Sequence, residues 1–382
     1  MNPRFQPFAI LVLLSECLAN IGVAPRGWGA PEQRRGIAMT DIGQQTIEWL
    51  YSEQLQVDDE WAVRGPTGFT WWAYSNAQTV EIVGQEVGPD GRIGYLIGIR
   101  TEMVSELDLT DQALDDVNTG PMRTAVMCGP VYDPDTRCLS LCSLALVHDE
   151  NASWMRILLS GAAAMQLTEA LLLGPGLADQ LGGEHAVTPH PHQGLREEPD
   201  PMAFAARIFV QEGQELCRWV ETDFGDAVQQ YMMQPPSLGA SSGGSGLTVE
   251  FPYGEGSSLC QINGDQPHPI YGQGLLVVQR FPFPAGSEKE GAELAMSLNR
   301  DDLTVYPAGY GFGSYLYADN MICFVAFIPN SFHRQMSLGN LYYSCATRAN
   351  SMSVRLLNED WDENSFSLER SGVARMMRDK NK

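Results

Sequence analysis

The sequence predicts an α+β protein made of two tandem copies of an antiparallel sheet covered by helices, arranged as a pseudo-dimer. Three observations support this fold class. Short sequence matches recur in the same order in the two halves of the chain. The length of 382 residues is that of two or three domains, at about 100 to 200 residues per domain. The two halves also give the same predicted order of helices and strands.

The internal repeat is the most informative of these observations. Residues 68–74 recur in altered form at 246–253, residues 97–100 recur at 277–280, and residues 113–118 recur at 293–299. The offset is 178 residues between Gly68 and Gly246 and 181 residues between Asn118 and Asn299. Because solenoid units repeat every ~20 to 50 residues, we interpret the pattern as two fused copies of one domain.

The composition divides the chain into five segments. Residues 174–201 are dense in Gly, Pro, His and acidic residues, which is typical of a linker. A well-capped helix begins just after Met39, so residues 1–38 are expected to be a disordered leader or an upstream extension, with a weak signal peptide as the alternative. The predicted domains are residues 39–173 and 202–357, and a charged tail follows at 358–382.

The first copy begins with a helix and continues with a run of strands. Apolar residues recur at helical spacing from Ile42 to Leu55. Runs rich in aromatic and β-branched residues then indicate strands, and Gly-Pro-Asp-Gly at 88–91 is a strong reversal signal. The predicted strands are residues 61–64, 69–74, 79–87 and 93–103.

The rest of the first copy contains two helices and a hairpin. Thr110 caps a short helix over 109–117, and Gly120 followed by proline ends it. Asn151 caps a long apolar helix, which Gly-Pro-Gly at 174–176 is expected to close. Because this helix is apolar on most of its surface, we expect it to lie between layers or between copies. The predicted elements are strands 124–132 and 138–147, joined by a turn at 133–135, and the helix 154–173.

The second copy repeats this plan with one insertion. Residues 235–246 are rich in Ser and Gly and predict a flexible stretch inside the copy. The predicted helices are residues 202–232, 287–298 and one that starts near Ser331, and the predicted strands are 247–253, 258–262, 274–281, 303–317 and 321–328, the last two joined by a turn at 318–320.

Charge and cysteine content limit the possible partners and location. With 24 basic and 47 acidic residues the net charge is −23, which disfavours nucleic acid and anionic membranes. A solvated surface is the simplest explanation, and attraction to a basic partner protein is the alternative. The apolar run at 8–14 is far too short to span a bilayer, so no stable membrane insertion is predicted. Eight cysteines, several in apolar runs, indicate free thiols and a cytoplasmic location.

One known family shares this pattern. In each copy a helix ends in an asparagine, Asn118 or Asn299, and is followed by two hairpin strands with an acidic turn and then another helix. This pattern resembles the YbjN family, most closely at the apolar hairpin 315–326 with Asn-Leu-Tyr beyond it at 340–342. The Ser/Gly insertion, the Trp71-Trp72 strand and the long linker depart from the family pattern, which puts the position of any binding face in doubt.

The resemblance implies the fold of type III secretion chaperones. It implies a small protein-binding module, chaperone-like or regulatory, without a catalytic apparatus. Secretion chaperones of this fold pair as dimers, so a tandem copy would supply both halves in one chain. Whether the chain associates further is left open by the sequence.

Partner-binding residues are predicted among aromatic and arginine side chains at matching positions of the two copies. Neighbouring Trp71 and Trp72 must face opposite sides of a strand, so one of them is exposed or lies under a helix. Exposed aromatic residues beside an apolar sheet mark a partner groove, and full coverage in the core is the alternative. The arginines bind a ligand or pair with a carboxylate of their own domain. The predicted set is Trp71, Trp72, Tyr74, Arg100, Phe251, Tyr253 and Arg280.

Residues that could bind a metal ion give a weaker signal. His185, His190 and His192 with nearby glutamates could bind zinc, but their linker offers no rigid geometry, so no metal or other cofactor is predicted.

Cysteines and glycines give no catalytic prediction either. Cys142 before His148 and Cys323 before His333 could form nucleophile pairs, and core thiols are the alternative. The glycine-rich run 309–313 does not link a strand to a helix as a phosphate loop does, and it is expected to allow a bulge or a close backbone approach.

These observations predict a non-enzymatic module that binds another protein or a peptide. One alternative is a hydrolase or other enzyme with its site in the cleft between the copies. Another alternative is a structural interaction protein. An enzyme requires at least two titratable groups within hydrogen-bonding distance in a concavity, whereas a binding module predicts a broad apolar groove and no cluster of His, Asp, Glu or Cys in a pocket.

Overall fold

Two antiparallel sheets covered by helices make up the part of the chain that the structure describes, which confirms the predicted α+β class. The computed structural model describes residues 41–87, 91–124, 126–210, 218–235, 237–333 and 337–357. The predicted leader at 1–38, the predicted tail at 358–382 and residues 88–90 of the predicted reversal lie outside the described residues.

The first repeat begins with helix α1 (Ile42–Trp49), which continues as a π-helical segment at Leu50–Gln54. The Asp41 side chain caps α1 by accepting a hydrogen bond of 2.8 Å from the backbone N–H of Gln44. The elements that follow are the 3-10 helix Asp59–Trp61, strands β1 (Ala62–Arg64), β2 (Gly68–Trp72), β3 (Ala77–Val87) and β4 (Ile93–Ser105), helices α2 (Asp111–Thr119) and α3 (Pro121–Thr124), strands β5 (Gly129–Asp133) and β6 (Cys138–Val147), and helix α4 (Ala152–Leu181).

The second repeat follows a short strand and a 3-10 helix. These are β7 (Glu184–His185) and the 3-10 helix Pro201–Val210. The later elements are helix α5 (Glu221–Ala227) with a π-helical segment Val228–Met232, strands β8 (Gly239–Gly243), β9 (Gly246–Tyr253), β10 (Gly256–His268) and β11 (Gly272–Pro282), helix α6 (Glu288–Arg300) with a π-helical segment Asp301–Val305, strands β12 (Ser314–Ala318) and β13 (Met321–Pro329), the 3-10 helix Asn330–Phe332 and helix α7 (Ser337–Leu357).

The two sheets have the same strand order. It is β1-β2-β3-β4-β6-β5 in the first sheet, where β7 also pairs with β4, and β8-β9-β10-β11-β13-β12 in the second. The matched sequences fall in equivalent elements, namely β2 and β9, β4 and β11, and α2 and α6. The strand registers also correspond, since Arg100 lies opposite Cys142 and Arg280 lies opposite Cys323. This agreement supports the interpretation of the sequence matches as two copies of one domain.

Helix α4 extends well past its predicted end at residue 173. A proline inside a helix costs about 3 kcal/mol, because it removes one hydrogen bond and crowds the preceding turn. Beyond Pro175, however, the helix packs Ala178 and Leu181 into the apolar core, and it ends only at Gly182 with φ of 75°. Tertiary packing of the last two turns therefore outweighs the local signal to stop.

Helix α4 lies between two layers, as its apolar surface predicts. It packs on strands β4 and β6, and the 3-10 helix Pro201–Val210 also packs on it. By length and composition α4 could cross a membrane, but 72% of its most apolar window of 18 residues is buried within the fold. This burial is typical of the central helix of a core.

The predicted linker at 174–201 is not a free segment. Its first part belongs to α4, and β7 pairs with β4 through Val104 and Ser105. The Arg196 side chain donates to the carbonyl oxygen of Trp72 at 2.8 Å and contacts Asp58 and Asp200 at 3.2 and 3.3 Å. These polar contacts hold the segment against the first sheet despite its loop composition.

Three predictions for the second repeat are wrong in detail. The predicted helix 202–232 is a 3-10 helix up to Val210, and a separate helix begins at Glu221. The Ser/Gly stretch at 235–246 includes edge strand β8. The predicted strand 303–317 is a strand only from Ser314, because the preceding helix continues through Asp301–Val305, where the Asp302 carboxylate bonds to buried partners.

Two equivalent asparagines close the free edge of strand β12. The Asn299 side chain accepts from the backbone N–H of Tyr315 and donates to its carbonyl oxygen, at 2.7 and 2.9 Å. Asn118, from the other repeat, does the same at Tyr317, at 2.8 and 2.9 Å. Each asparagine amide thus makes the two hydrogen bonds that a neighbouring strand would make, and Asn118 also connects the two repeats.

The asparagine from the first repeat is expected to contribute strongly to stability. Substitution of Asn118 with alanine leaves a buried N–H and a buried carbonyl of Tyr317 without partners, so unfolding should become easier by at least about 2 kcal/mol. Urea unfolding measures the loss. Thr119→Ala, which removes an exposed hydroxyl at the end of the same helix, is the control and should change stability by less than about 0.5 kcal/mol. Equal stability of the two variants would contradict the bridging role.

Candidate binding pocket between the two repeats

An apolar cavity with a volume of about 190 Å³ lies between the two repeats. The first repeat contributes Met127 and the start of helix α4, and the second repeat contributes the sheet face of β11 and β13 together with helix α7. We call it the inter-repeat pocket. It is lined by Met127, Trp154, Leu158, Trp219, Val277, Tyr310, Phe312, Phe324, Ala326, Ile328, Phe332, Ser337, Asn340, Leu341, Ser344, Cys345 and Arg348.

The glycine-rich run at 309–313 forms the part of the wall where the repeats meet. Gly311 exchanges two backbone hydrogen bonds of 3.2 Å with Leu144 of strand β6. A Cβ at position 311 would lie 2.5 Å from the carbonyl oxygen of Leu144, so only glycine allows this approach. The structure confirms the predicted close backbone approach.

This approach positions two aromatic side chains of the pocket. Tyr310 packs edge-on against Trp154 of helix α4, with 5.5 Å between the ring centroids. The backbone N–H of Tyr310 donates to the Ser344 hydroxyl of helix α7 at 2.8 Å. The position of Tyr310 therefore depends on contacts with both repeats, and Phe312 of the same run is buried in the first core.

Trp219 forms another part of the wall. Its indole N–H donates to the hydroxyl of Ser337 at 3.0 Å, which anchors the ring to the start of α7. The ring also packs edge-on against His333, with 5.1 Å between the ring centroids. Since Trp154 and Trp219 come from different repeats, the pocket exists only where both copies are present.

Arg348 is the only charged side chain among the described lining residues of this pocket. It is 1% exposed, and its guanidinium carbon lies 3.4 Å from the centre of the Phe324 ring. Its Nε donates to the hydroxyl of Tyr315 at 3.1 Å, and Nη2 donates to the carbonyl oxygen of Tyr310 at 2.9 Å. A cation–π contact and two neutral acceptors therefore hold the guanidinium at the pocket wall.

A buried ionic network continues behind Arg348. The Asp302 carboxylate accepts from Arg355 at 2.6 Å and from the hydroxyl of Tyr315 at 2.7 Å. Both side chains of the ion pair are at most 3% exposed. The neighbouring Asp301 carboxylate also acts on Arg355 through its charge, whereas the described hydrogen bonds of the Arg348 guanidinium go to neutral acceptors.

Four thiols in or near the pocket differ in their protonation: the hydrogen bond from Cys260 lowers the pKa of Cys345, and the other three have raised pKa values. The Sγ atoms of Cys345 and Cys260 lie 3.6 Å apart, and the hydrogen bond between them together with burial raises the pKa of Cys260. Burial also raises the pKa of Cys142 to about 12 and raises that of Cys323. The candidate nucleophiles Cys142 and Cys323 are therefore protonated near neutral pH, which does not favour thiolate chemistry.

Four of the predicted partner-binding aromatic residues are core residues, and a surface role for them is not available in this conformation. Trp71 is fully buried and donates to the Gln78 amide oxygen at 3.0 Å. Trp72 lies on the opposite face, where the His190 ring covers it with 4.7 Å between centroids. Phe251 and Tyr253 are buried in the core of the second repeat. The expected strand alternation is present, but these four side chains are buried whichever face of the strand they lie on.

The other predicted partner-binding residues are more accessible and lie outside the inter-repeat pocket. Tyr74 is partly buried at the edge of the first core. Arg100 is half-exposed, 3.9 Å from Glu102, and lines a polar concavity of about 500 Å³ that also lies between the repeats. Arg280 donates to the side-chain oxygen of Gln261 within its own sheet. The structure therefore brings the two arginines to separate places.

The histidines of the predicted linker also have structural contacts. His190 is buried, and its Nδ1 accepts from the backbone N–H groups of His192 and Gln193 at 3.3 and 3.1 Å. His185 lies in β7, where its ring contacts Asn76 at 3.4 Å. No group of three or more His, Cys, Asp or Glu side chains in the described ranges has the proximity a metal site needs.

Sequence reasoning missed the residues that form the inter-repeat pocket. Trp154 was predicted only as the start of the long apolar helix, and Trp219 only as part of the helix 202–232. Arg348 had no predicted role. The glycine-rich run at 309–313 was the one available signal, since it marked a close approach without revealing which strand it approaches. Comparison with known proteins gives no match to this chain, whether to a family model, to a curated protein or to a solved structure.

Proposed function

We propose that this chain is a non-enzymatic binding module that takes an apolar group of a partner protein or peptide into the inter-repeat pocket. Its two repeats act as the halves of a pseudo-dimer, as tandem YbjN-like domains with a secretion chaperone-like fold would do. The observation that carries the proposal is the composition of the pocket. Its described lining combines six aromatic rings with aliphatic side chains and includes no carboxylate and no imidazole.

The size of the pocket suits one bulky side chain. An apolar cavity of about 150 Å³ in a protein takes up a benzene ring, and the inter-repeat pocket has about 190 Å³. Apolar cavities with a few polar groups on their walls are the usual form of binding sites. A partner presenting one aromatic or branched aliphatic residue therefore matches the cavity better than a large rigid ligand does.

The enzymatic alternative has less support in the structure. The polar concavity beside Arg100 does contain carboxylates, but Asp133 accepts from the backbone N–H of Asp135 and from the hydroxyl of Thr136, at 3.0 and 2.9 Å. The hydrogen bond with Thr136 lowers the pKa of Asp133. A carboxylate that already accepts hydrogen bonds within its own turn is poorly suited to exchange protons with a substrate.

The proposal also includes a cytoplasmic location and a partner with basic flanks. The six described cysteines are all free, and the sulfurs of Cys260 and Cys345 lie 3.6 Å apart, which is longer than a disulfide bond. Such a pair is stable in a reducing compartment. The net charge of −23 attracts basic segments and repels nucleic acid, so a basic protein carrying an apolar residue is the favoured partner.

Peptide selection tests the proposed function. Random peptides displayed on phage with free C-termini should yield binders that share a bulky apolar residue, and titration should shift the tryptophan emission of the chain, to which Trp154 and Trp219 of the pocket contribute. Leu341→Glu places a charge in the pocket and should weaken binding at least about tenfold. Leu172→Glu, at a leucine that is 40% exposed outside the pocket, is the matched control and should bind like the unaltered chain. Failure to select any binder, or equal binding by both variants, would refute the proposal.

A further inference from the structure

We infer that the inter-repeat pocket takes the C-terminal residue of its partner, with the apolar side chain in the cavity and the terminal carboxylate on the guanidinium of Arg348. This inference rests on the proposed function and adds the chemistry of the bound group. Three observations support it, namely the burial of Arg348, its unused hydrogen-bond donors and its lack of a counter-charge.

Burial makes the charge of Arg348 unfavourable by itself. Transfer of a charged group from water to a protein interior is costly unless it is paired and hydrogen-bonded. Arg348 is 1% exposed, and the Asp302 carboxylate of the nearby charged network bonds to Arg355. In the part of the chain that the structure describes, no carboxylate forms an ion pair with Arg348.

The guanidinium of Arg348 also has more N–H donors than its two described hydrogen bonds use. An arginine side chain carries five N–H donors, and the hydrogen bonds to Tyr315 and Tyr310 use one on Nε and one on Nη2. The position beside Nη1 is occupied by Gly309, where a Cβ would lie only 3.1 Å from that nitrogen. A larger residue at this position would crowd Nη1, and glycine avoids that contact.

A carboxylate is the anion that best matches both the fork and the cavity. Arginine binds carboxylates through two parallel N–H···O bonds, which are stronger than neutral hydrogen bonds. A carboxylate that enters this pocket must be attached to an apolar group about the size of a phenyl ring. The C-terminal residue of a peptide that ends in Phe or Leu presents both groups on the same carbon, so the side chain and the charge reach the two parts of the site together.

A pair of matched peptides tests this inference. A Gly-Gly-Ser-Leu-Phe peptide with a free carboxylate is titrated against the full chain beside the same peptide ending in an amide, with tryptophan emission as the readout. Hydrogen bonds to charged groups predict that the amide binds about tenfold to a hundredfold more weakly. In Arg348→Met this preference should disappear while the amide binds as before. Arg300→Met, at a half-exposed arginine outside the pocket, should keep the preference.

The possible outcomes separate the two proposals. Equal binding of acid and amide by the unaltered chain overturns the role of Arg348 but leaves the proposed apolar site intact. If neither peptide binds and peptide selection also fails, the proposed function itself is wrong. If 3-phenylpropanoate binds as tightly as the free-acid peptide, the site recognises a small carboxylic acid and the assignment to a peptide C-terminus is overturned. Because acid and amide are compared on the unaltered chain, the inference stays testable even if Arg348→Met does not fold.

Discussion

Substitution of Asp302 with asparagine is expected to lower the free energy of unfolding by about 3 to 5 kcal/mol, the usual cost of removing one partner from a buried ion pair. The substitution keeps the shape of the side chain and removes only its charge. Arg355, which is 4% exposed and lies 2.6 Å from the carboxylate, then has a neutral partner. The buried guanidinium of Arg355 would then lose the negative charge of the carboxylate to which it is directly bonded.

An exposed ion pair provides the matched control. Asp111 of the first repeat lies 2.8 Å from Lys289 of the second, but its side chain is 76% exposed. Asp111→Asn should therefore change stability by less than about 1 kcal/mol, because water screens exposed pairs. Urea unfolding of both variants at pH 7 makes the comparison. Similar losses for Asp302→Asn and Asp111→Asn would show that burial does not strengthen the Asp302 network.

The position of Asp302 also explains a feature of the fold that the sequence did not predict. Residues 303–317 have the apolar and aromatic composition of a long strand, and local propensity gives no reason to start that strand only at Ser314. The carboxylate at 302 and the apolar side chain of Leu303 are both buried within a helical segment. Partners on strand β12 and on the distant helix α7 determine where the helix ends, so a local window of sequence is not sufficient.

The repeat itself was predictable because it depends on order and spacing rather than on single contacts. Asn118 and Asn299 were recognised as equivalent from the sequence, and they bond to alternate residues of one edge strand. Their equivalence did not indicate that both would bond to strand β12 of the second repeat. The two asparagines show that the repeats, although alike in topology, have different roles at their contact.

The inter-repeat pocket could not be predicted for a related reason. Its walls combine residues as distant in sequence as Met127, Trp219 and Arg348, which come together only when the second repeat folds against the first. The aromatic residues proposed for a binding face, such as Trp71 and Phe251, are among the most buried in the molecule. Aromatic content indicated core positions more reliably than it indicated recognition, because helices or the connecting segment cover the sheets.

Glu169 is the second buried carboxyl group with a large expected effect, and it makes stability depend on pH. It lies on helix α4 with 2% exposure and accepts from the backbone N–H of Val126 at 3.2 Å. Burial raises its pKa from 4.5 to about 8, and the hydrogen bond from Val126 offsets only part of that effect. At neutral pH the side chain is therefore a neutral acid within the fold and a carboxylate in the unfolded chain.

The sign of the pH effect follows from this difference. Between pH 4.5 and 8 the folded chain holds a proton that the unfolded chain releases, so stability falls as pH rises. The contribution of Glu169 is fully present below about pH 4.5 and is lost as pH rises through about 8. Over the range from pH 5 to 8, this loss amounts to roughly 3 to 4 kcal/mol.

Glu169→Gln isolates this contribution because the amide is neutral at every pH and keeps an acceptor for the Val126 N–H. The difference in free energy of unfolding between the unaltered chain and the variant should shift by roughly 3 to 4 kcal/mol from pH 5 to 8, with the variant gaining relative stability at high pH. Urea unfolding at intervals of one pH unit measures it. Glu150→Gln, at a glutamate whose side chain is 67% exposed, should leave the slope nearly unchanged. Parallel stability curves for the unaltered chain and Glu169→Gln would mean that Glu169 is ionised within the fold, and the buried contact with Val126 would then have to stabilise a charge rather than a neutral acid.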